Sequence, residues 1–111
     1  MTLSELVEAA HGDAVAAGWH DTPRDKGTFL MLIVSEIAEA LEGERKDLMD
    51  DKLPHRKMAE VEMADAVIRI ADYCGLCGYD LEGAVLEKMA YNRIREDHKQ
   101  ENRAKPGGKA F

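Results

Sequence analysis

The chain has 111 residues, which is the size of one domain. Acidic residues outnumber basic ones by 22 to 15, so the formal net charge is −7. Because a nucleic-acid polymer is bound by clustered Lys and Arg, this charge argues against such a partner, although a small phosphorylated ligand needs only a few placed cations. Hydrophobic residues make up 45% of the chain, which predicts a folded protein.

Membrane and secretory segments are not evident in the sequence. The longest wholly apolar run, from Phe29 to Val34, is far shorter than the ~20 residues that a membrane-spanning helix needs. The first residues lack a basic segment followed by an apolar one, so we predict no signal peptide. Two cysteines cannot form a disulfide scaffold. We therefore predict a cytoplasmic protein without a membrane partner.

Apolar residues recur with a helical period along most of the chain. Thr2 and Glu5 form a capping-box pattern at the start of the first predicted helix. No stretch alternates as a strand does, so we predict an all-α fold with four main helices in one domain, residues 1–111, of which about 97–111 form a tail. The predicted helices are Thr2 to about Ala17, Gly27 to about Gly43, Leu53-Pro54 to about Gly75, and one with Asp80 as N-cap to about Glu96.

The second predicted helix is apolar on nearly all sides. Such a helix is buried or lies between two packing partners, and four helices from 111 residues can hardly cover it. We therefore predict a homodimer or a dimer of dimers that buries parts of the second and third helices. The two apolar stripes consist of Leu30, Val34, Ile37 and Leu41, and of Phe29, Ile33 and Ala40.

Two predicted helices each carry a pair of acidic residues one turn apart. Glu36 and Glu39 share a face of the second helix, and Glu62 and Asp65 share a face of the third. Carboxylates among apolar residues repel one another and lose hydration. A divalent ion such as Mg²⁺ or Mn²⁺ offsets both effects and prefers oxygen ligands. Most acidic pairs at this spacing are solvated or ion-paired, but the apolar setting of Glu36 favours a metal site.

Neighbouring residues on the third helix offer a simpler interpretation. Arg69 follows Asp65 by four residues, which is the spacing of an ordinary helical ion pair. Asp72 lies one turn further along the same stripe, either as support for a metal site or as an acceptor for Arg69.

The histidines show no metal-binding pattern. Glu8 and His11 have the E-x-x-H spacing of di-iron bundles, but that site needs a second such motif, which the sequence lacks. We therefore expect His11 to be exposed, and we assign no role to His20.

The fourth predicted helix carries a small cationic stripe. Lys88, Asn92 and Arg95 follow one another at i, i+4 and i+7, which places them on one face. Two cations with an amide between them suit phosphate oxygens. A basic stripe near a helix C-terminus is also favoured by the helix dipole without any ligand.

This ordered set resembles the MazG-like nucleotide pyrophosphohydrolases of the all-α NTP pyrophosphatase superfamily. The resemblance covers about residues 27–111 and includes the Gly/Lys-rich ending from Lys105. One position departs from the pattern, because many members have a Glu where this chain has Ser35. The matching motifs are E-x-x-E at Glu36 and Glu39, E-x-x-D at Glu62 and Asp65, and then Lys88, Asn92 and Arg95.

The resemblance implies a four-helix MazG-like bundle that is completed by dimerisation. It also implies a hydrolase of the nucleotide-pool house-cleaning type, which converts an NTP or dNTP to the monophosphate and pyrophosphate. The implied cofactor is Mg²⁺, with Mn²⁺ as the alternative. It implies that Trp19 stacks on the base, although Trp19 could equally cover the end of the bundle. It assigns metal binding to Glu36, Glu39, Glu62 and Asp65, and phosphate binding to Lys88, Asn92 and Arg95.

Two alternatives and one choice stay open. The substrate could be dUTP, dCTP or a phosphoribosyl nucleotide, or the chain could be a non-catalytic helical metal-binding or interaction protein. Either Glu36 or Glu39 could accept the proton of the attacking water.

Overall fold

A computed structural model describes residues 1–95 of the chain. Within these residues it contains four α-helices and no strand, which confirms the predicted all-α class; Met49 and Lys57 form an isolated bridge. The predicted tail from 97 and the predicted helix end at Glu96 lie outside the described residues. The helices are α1 (Leu3–Ala16), α2 (Lys26–Lys46), α3 (Met58–Cys77) and α4 (Leu81–Ile94).

Side-chain caps explain where several of the helices begin. Thr2 and Glu5 form the predicted capping box, because the Thr2 Oγ1 accepts from the Glu5 N–H at 3.1 Å and Glu5 Oε1 accepts from the Thr2 N–H at 2.9 Å. Asp25 caps α2 by accepting from the Thr28 N–H at 2.8 Å. The predicted Asp80 cap accepts from the Gly83 N–H at 2.9 Å. Each cap satisfies a backbone donor that the first helical turn leaves unpaired.

The predicted start of the third helix at Leu53-Pro54 is wrong, because this segment belongs to the connection between α2 and α3. Asp50 holds that connection in a turn: its Oδ2 accepts from the N–H groups of Lys52 at 3.0 Å and Leu53 at 2.8 Å. A short polar side chain that bonds its own backbone competes with helix formation in this way. The helix therefore starts only at Met58.

Two predicted helix ends are also too early. α2 continues past Gly43 to Lys46 and ends at Asp47, which has the left-handed φ of 50°. α3 continues past Gly75 to Cys77, and its C-cap is Gly78 with a φ of 69°. A left-handed residue after the last turn is a common helix stop, and glycine adopts it without steric cost.

The chain divides into two compact units, residues 1–79 and a unit that begins at Asp80. The first unit contains α1, α2 and α3, with α3 packed against both α1 and α2. The second unit contains α4. The prediction of one domain over residues 1–111 stays a prediction.

Small side chains dominate the buried core of the first unit. Gly43 allows close approach of α2 to α3, because a Cβ atom there would lie 3.0 Å from the Cβ of Met58. The α2 stripe of Leu30, Val34, Ile37 and Leu41 is 45–51% exposed. No helix among residues 1–95 has both the length and the apolar character needed to cross a membrane. The buried apolar residues are Ala10, Ala14, Ala40, Ala66, Ala71, Tyr73 and Cys74.

Candidate functional site

Three carboxylates from two helices converge in the first unit. Glu36 comes from α2, and Glu62 and Asp65 come from α3; one oxygen atom of each lies within 4.8 Å of the others. We call these three residues the acid cluster. The structure therefore brings together three of the four predicted metal ligands. The fourth, Glu39, is exposed and lies outside this group, although its carboxylate is close enough to Glu62 to raise the pKa of that residue.

Glu62 is the most perturbed member of the acid cluster. Its Oε2 atom is buried and has no hydrogen-bond partner among the described residues. The pKa of Glu62 is raised from 4.5 to about 8, first by the shared hydrogen bond with the Glu36 carboxyl, then by burial and by Glu39. Placing a second negative charge beside a desolvated carboxylate is unfavourable, so the proton is retained. This oxygen therefore has no hydrogen-bond donor within residues 1–95.

The surroundings of Asp65 also contain more acidic than basic groups that act on its pKa. Burial and the charge of Glu36 raise its pKa, while the Arg69 guanidinium lowers it and Asp50 raises it. Asp50 is a buried acid on the connection between α2 and α3, and sequence reasoning did not single it out. Several carboxylates therefore act on one small region, and within residues 1–95 the charge of Arg69 opposes their effect on Asp65.

Arg69 does not form the ordinary helical pair with Asp65. Its Nε atom instead donates to Glu36 Oε1 at 3.0 Å, and so links α3 to α2. The guanidinium carbon also lies 5.6 Å from the centroid of the Trp19 ring, within the range of a cation–π contact. Arg69 thus connects the acid cluster to the aromatic residue that the sequence singled out.

Trp19 lies at an open cleft of about 270 Å³ lined by Trp19, Arg24, Leu32 and Arg69. Trp19 is 45% exposed, and the choice between base stacking and covering the end of the helices stays open. Ser35, at the position where the sequence departs from the family pattern, donates its hydroxyl to the Leu32 carbonyl at 2.6 Å. Ser35 therefore adds no ligand to the acid cluster.

The predicted phosphate-binding residues belong to the second unit. Lys88 and Asn92 lie one turn apart on α4, and Arg95 is the C-cap residue of that helix, with extended backbone angles. The Lys88 Nζ atom lies 4.7 Å from the centroid of the Tyr91 ring. Their joint action with the acid cluster stays a prediction.

A second cluster was missed by the sequence reasoning. Asp72 Oδ1 lies 2.9 Å from His11 Nδ1 and 2.8 Å from His20 Nε2. We call these three residues the histidine–aspartate cluster. The expectation that His11 is exposed is wrong, because its side chain is 29% exposed and bonded to Asp72. Asp72 is not the acceptor for Arg69 either, which bonds to Glu36 instead.

Only weak local signals could have pointed to this second cluster. Asp72 lies 61 positions after His11 and 52 positions after His20, so no spacing motif connects the three residues.

Comparisons of the chain with protein-family models, curated proteins and solved structures found no match.

Proposed function

We propose that this protein is a Mg²⁺-dependent nucleoside triphosphate pyrophosphohydrolase that converts an NTP or dNTP to the monophosphate and pyrophosphate. The observation that carries the proposal is the convergence of Glu36, Glu62 and Asp65, where the buried Oε2 of Glu62 has no hydrogen-bond partner in the described part of the chain. The resemblance of the same residues to the MazG-like motifs supports the nucleotide substrate. On this proposal the helices form a MazG-like bundle.

The donor atoms of the acid cluster fit a hard divalent cation. All three ligands are carboxylate oxygens on two packed helices, and Mg²⁺ and Mn²⁺ prefer such oxygen ligands. Glu36, Glu62 and Asp65 would hold the ion, with Glu39 beside them. When bound, the ion would neutralise phosphate oxygens and lower the pKa of bound water. It would also make the retained proton on Glu62 unnecessary.

Glu39 is the better assignment for the acceptor of the water proton. Glu36 Oε1 already accepts a hydrogen bond from Arg69, so that oxygen is less available to accept a proton from water. Glu39 is exposed and lies near Glu62, so its carboxylate is accessible to water beside the cluster. On this proposal Glu36 is a metal ligand and Glu39 is the general base, which decides a choice that the family resemblance leaves open.

The remaining substrate contacts are assigned by chemistry. Lys88, Asn92 and Arg95 carry donors and positive charge that match phosphate oxygens. Trp19 offers an exposed aromatic face beside Arg69 for a nucleobase.

A homodimer or a dimer of dimers is part of the proposal. The α2 stripe leaves four aliphatic side chains about half exposed, and Met63 and Val67 on α3 are 50% and 45% exposed. Extended exposed apolar surfaces of this kind are typical of protein–protein interfaces. A strictly monomeric mass at micromolar concentration would contradict this part.

The direct test is the release of pyrophosphate from a panel of NTPs and dNTPs with and without Mg²⁺. The panel includes dUTP, dCTP and a phosphoribosyl nucleotide, which identifies the substrate class. We expect Asp65→Asn to lower the rate by at least about 100-fold. Loss of a residue that only hydrogen-bonds to a metal ligand typically costs about 10- to 100-fold. Glu44→Gln, an exposed acid on the same helix as Glu36, serves as the matched control and is expected to stay active.

The second candidate is a metal-binding or interaction protein without catalysis. The ion pair of Arg69 with Glu36 favours it, because part of the negative charge is already neutralised within the chain. Absence of pyrophosphate release from every substrate, together with Mg²⁺ binding, would support this alternative. Equal activity of wild type and Asp65→Asn would overturn the site assignment.

A further inference from the structure

We infer that His11, His20 and Asp72 form a second metal site, which takes a transition ion of the Zn²⁺ type and is separate from the acid cluster. Two imidazole nitrogens and one carboxylate oxygen, all within 4.8 Å of one another, make up the donor set. Imidazole is a common ligand for zinc, cobalt, nickel and copper, whereas Mg²⁺ prefers oxygen alone. The two clusters therefore differ in the ion that they select.

The observed distances suit one shared ion. The two nitrogen atoms lie 2.9 and 2.8 Å from the same oxygen atom of Asp72. With zinc–ligand distances of about 2.0–2.1 Å, tetrahedral ligand atoms are roughly 3.3 Å apart, so the cluster needs to open by only about 0.5 Å. The ring centroids of His11 and His20 are 5.2 Å apart. Two imidazoles on one tetrahedral ion would have centroids about 5 Å apart.

The surrounding structure holds each ligand in place. His11 packs against Gly75 of α3, where an added Cβ atom would lie only 2.6 Å from the Cβ of His11. His20 lies between the rings of His11 and Phe29, at 5.2 and 5.6 Å from their centroids. The side chain of Asp72 is only 7% exposed. Binding an ion would therefore order few additional side chains, which reduces its entropic cost.

The site has a route to solvent. Asp72 and Trp19 line a cleft of about 180 Å³ between α1 and α3. The side chain of His11 is 29% exposed. Three protein ligands leave one tetrahedral position open for water or for an added ligand.

Metal titration of the full-length, untagged protein tests the inference. Metal-free protein is titrated with Co²⁺, followed by its visible absorption, and the Co²⁺ is then displaced with Zn²⁺. We expect one Zn²⁺ per chain in wild type, and at least about tenfold weaker binding in Asp72→Asn and in His11→Ala. The Asp72→Asn variant keeps an oxygen that can accept from both rings, so it preserves the fold while removing the charge.

Control variants exclude other ligands. His55→Ala removes an exposed histidine outside the cluster, and Cys77→Ser removes a thiol; both are expected to bind Zn²⁺ as wild type does. Glu62→Gln is expected to keep Zn²⁺ as well, so failure of the proposed hydrolase function leaves this result unaffected. Absence of stoichiometric Zn²⁺ in wild type, or binding unchanged in both Asp72→Asn and His11→Ala, would overturn the inference and leave the cluster as a hydrogen-bonded contact between helices.

Discussion

α3 contributes to two polar clusters that differ in charge balance. In the acid cluster, Glu62 and Asp65 meet a carboxylate of α2, and the buried Oε2 of Glu62 has no partner among the described residues. In the histidine–aspartate cluster, Asp72 meets two imidazole rings and its Oδ1 is bonded to both. The positions of Glu62 and Asp72 are about 15 Å apart along the helix axis. One helix therefore contributes carboxylates to a cluster of oxygen atoms alone and to a cluster with two imidazole nitrogens.

This difference in charge balance explains why the two clusters differ in how strongly they depend on a bound cation. The hydrogen bond shared with Glu36, burial and the nearby Glu39 raise the pKa of Glu62 to about 8, so the acid cluster is unfavourable without a proton or a cation. In the histidine–aspartate cluster, Asp72 Oδ1 lies within hydrogen-bond distance of both rings without an ion. Loss of a metal should consequently affect the stability of the first cluster more than that of the second.

Removing the cation of the acid cluster is expected to have the largest effect on stability. Arg69→Gln leaves Glu36, whose side chain is only 12% exposed, without its ion pair, and we expect the free energy of unfolding of the metal-free protein to fall by about 2 to 3 kcal/mol. Arg56→Gln is the matched control, because its pair with Glu60 is exposed at 55% and 56% and should contribute less than about 0.5 kcal/mol. Urea unfolding measures both; equal effects of the two variants would contradict the account.

A methyl group at Gly75 should disturb the histidine–aspartate cluster alone. Gly75→Ala places a Cβ atom 2.6 Å from the Cβ of His11, so we expect a loss of about 2 kcal/mol in stability together with weaker Zn²⁺ binding. Gly12→Ala is the control, since an added Cβ meets nothing within 4 Å there and should stabilise α1 by up to about 1 kcal/mol. Thermal unfolding and Zn²⁺ titration distinguish them. A stable Gly75→Ala protein with unchanged Zn²⁺ affinity would argue against the described packing.

The pH dependence of stability should reveal the acid cluster. The pKa of Glu62 is raised from 4.5 to about 8, so the folded state binds this proton more tightly than the unfolded state does. The stability that the bound proton contributes is present below about pH 4.5 and is lost as the pH rises to about 8. We expect the metal-free protein in EDTA to lose on the order of 1 to 2 kcal/mol over this range.

The matched variant for this measurement is Glu62→Gln. It removes the titrating group, so its unfolding free energy should vary less between pH 4.5 and 8, and Mg²⁺ should not restore stability at pH 8. An identical pH dependence in wild type and Glu62→Gln would show that Glu62 is not the group responsible.

The smallest expected effect concerns Trp19. If its exposed face stacks on the base, Trp19→Ala should raise KM by about 3- to 10-fold, in line with the loss of one aromatic stacking contact, with kcat within about twofold. Trp19→Phe keeps an aromatic face and should retain most of the affinity. Steady-state pyrophosphate release provides the values. An unchanged KM in Trp19→Ala would assign Trp19 to its contact with Arg69 alone.

Local patterns predict the four helices and most of the acid cluster. The capping box at Thr2 and the cap at Asp80 depend on residues three positions apart, which a sequence shows directly. The i, i+3 acidic pairs likewise place their carboxylates on one helix face, and packing of α2 on α3 then brings Glu36, Glu62 and Asp65 together. The predicted start of α3 at Leu53-Pro54 is wrong because the Asp50 carboxylate accepts hydrogen bonds from the backbone of the following residues. These bonds hold the segment in a turn and override its helix-start signal.

Long-range contacts account for what the sequence could not predict. His11 and His20 reach Asp72 only because α1 folds back onto α3 and the connection after α1 returns to the same place. Arg69 could pair with Asp65 on its own helix or with Glu36 on another, and only the packing of α2 decides between them. Oligomeric state and the nucleotide specificity stay predictions, since no local spacing determines either.

We expect the acid cluster to hold a hard divalent cation. Mn²⁺ binding, followed by electron paramagnetic resonance on wild type, Glu62→Gln and Asp72→Asn, tests this expectation directly. We predict one Mn²⁺ per chain that Mg²⁺ displaces, at least about tenfold weaker binding in Glu62→Gln, and unchanged binding in Asp72→Asn. Equal Mn²⁺ affinity of wild type and Glu62→Gln would contradict it.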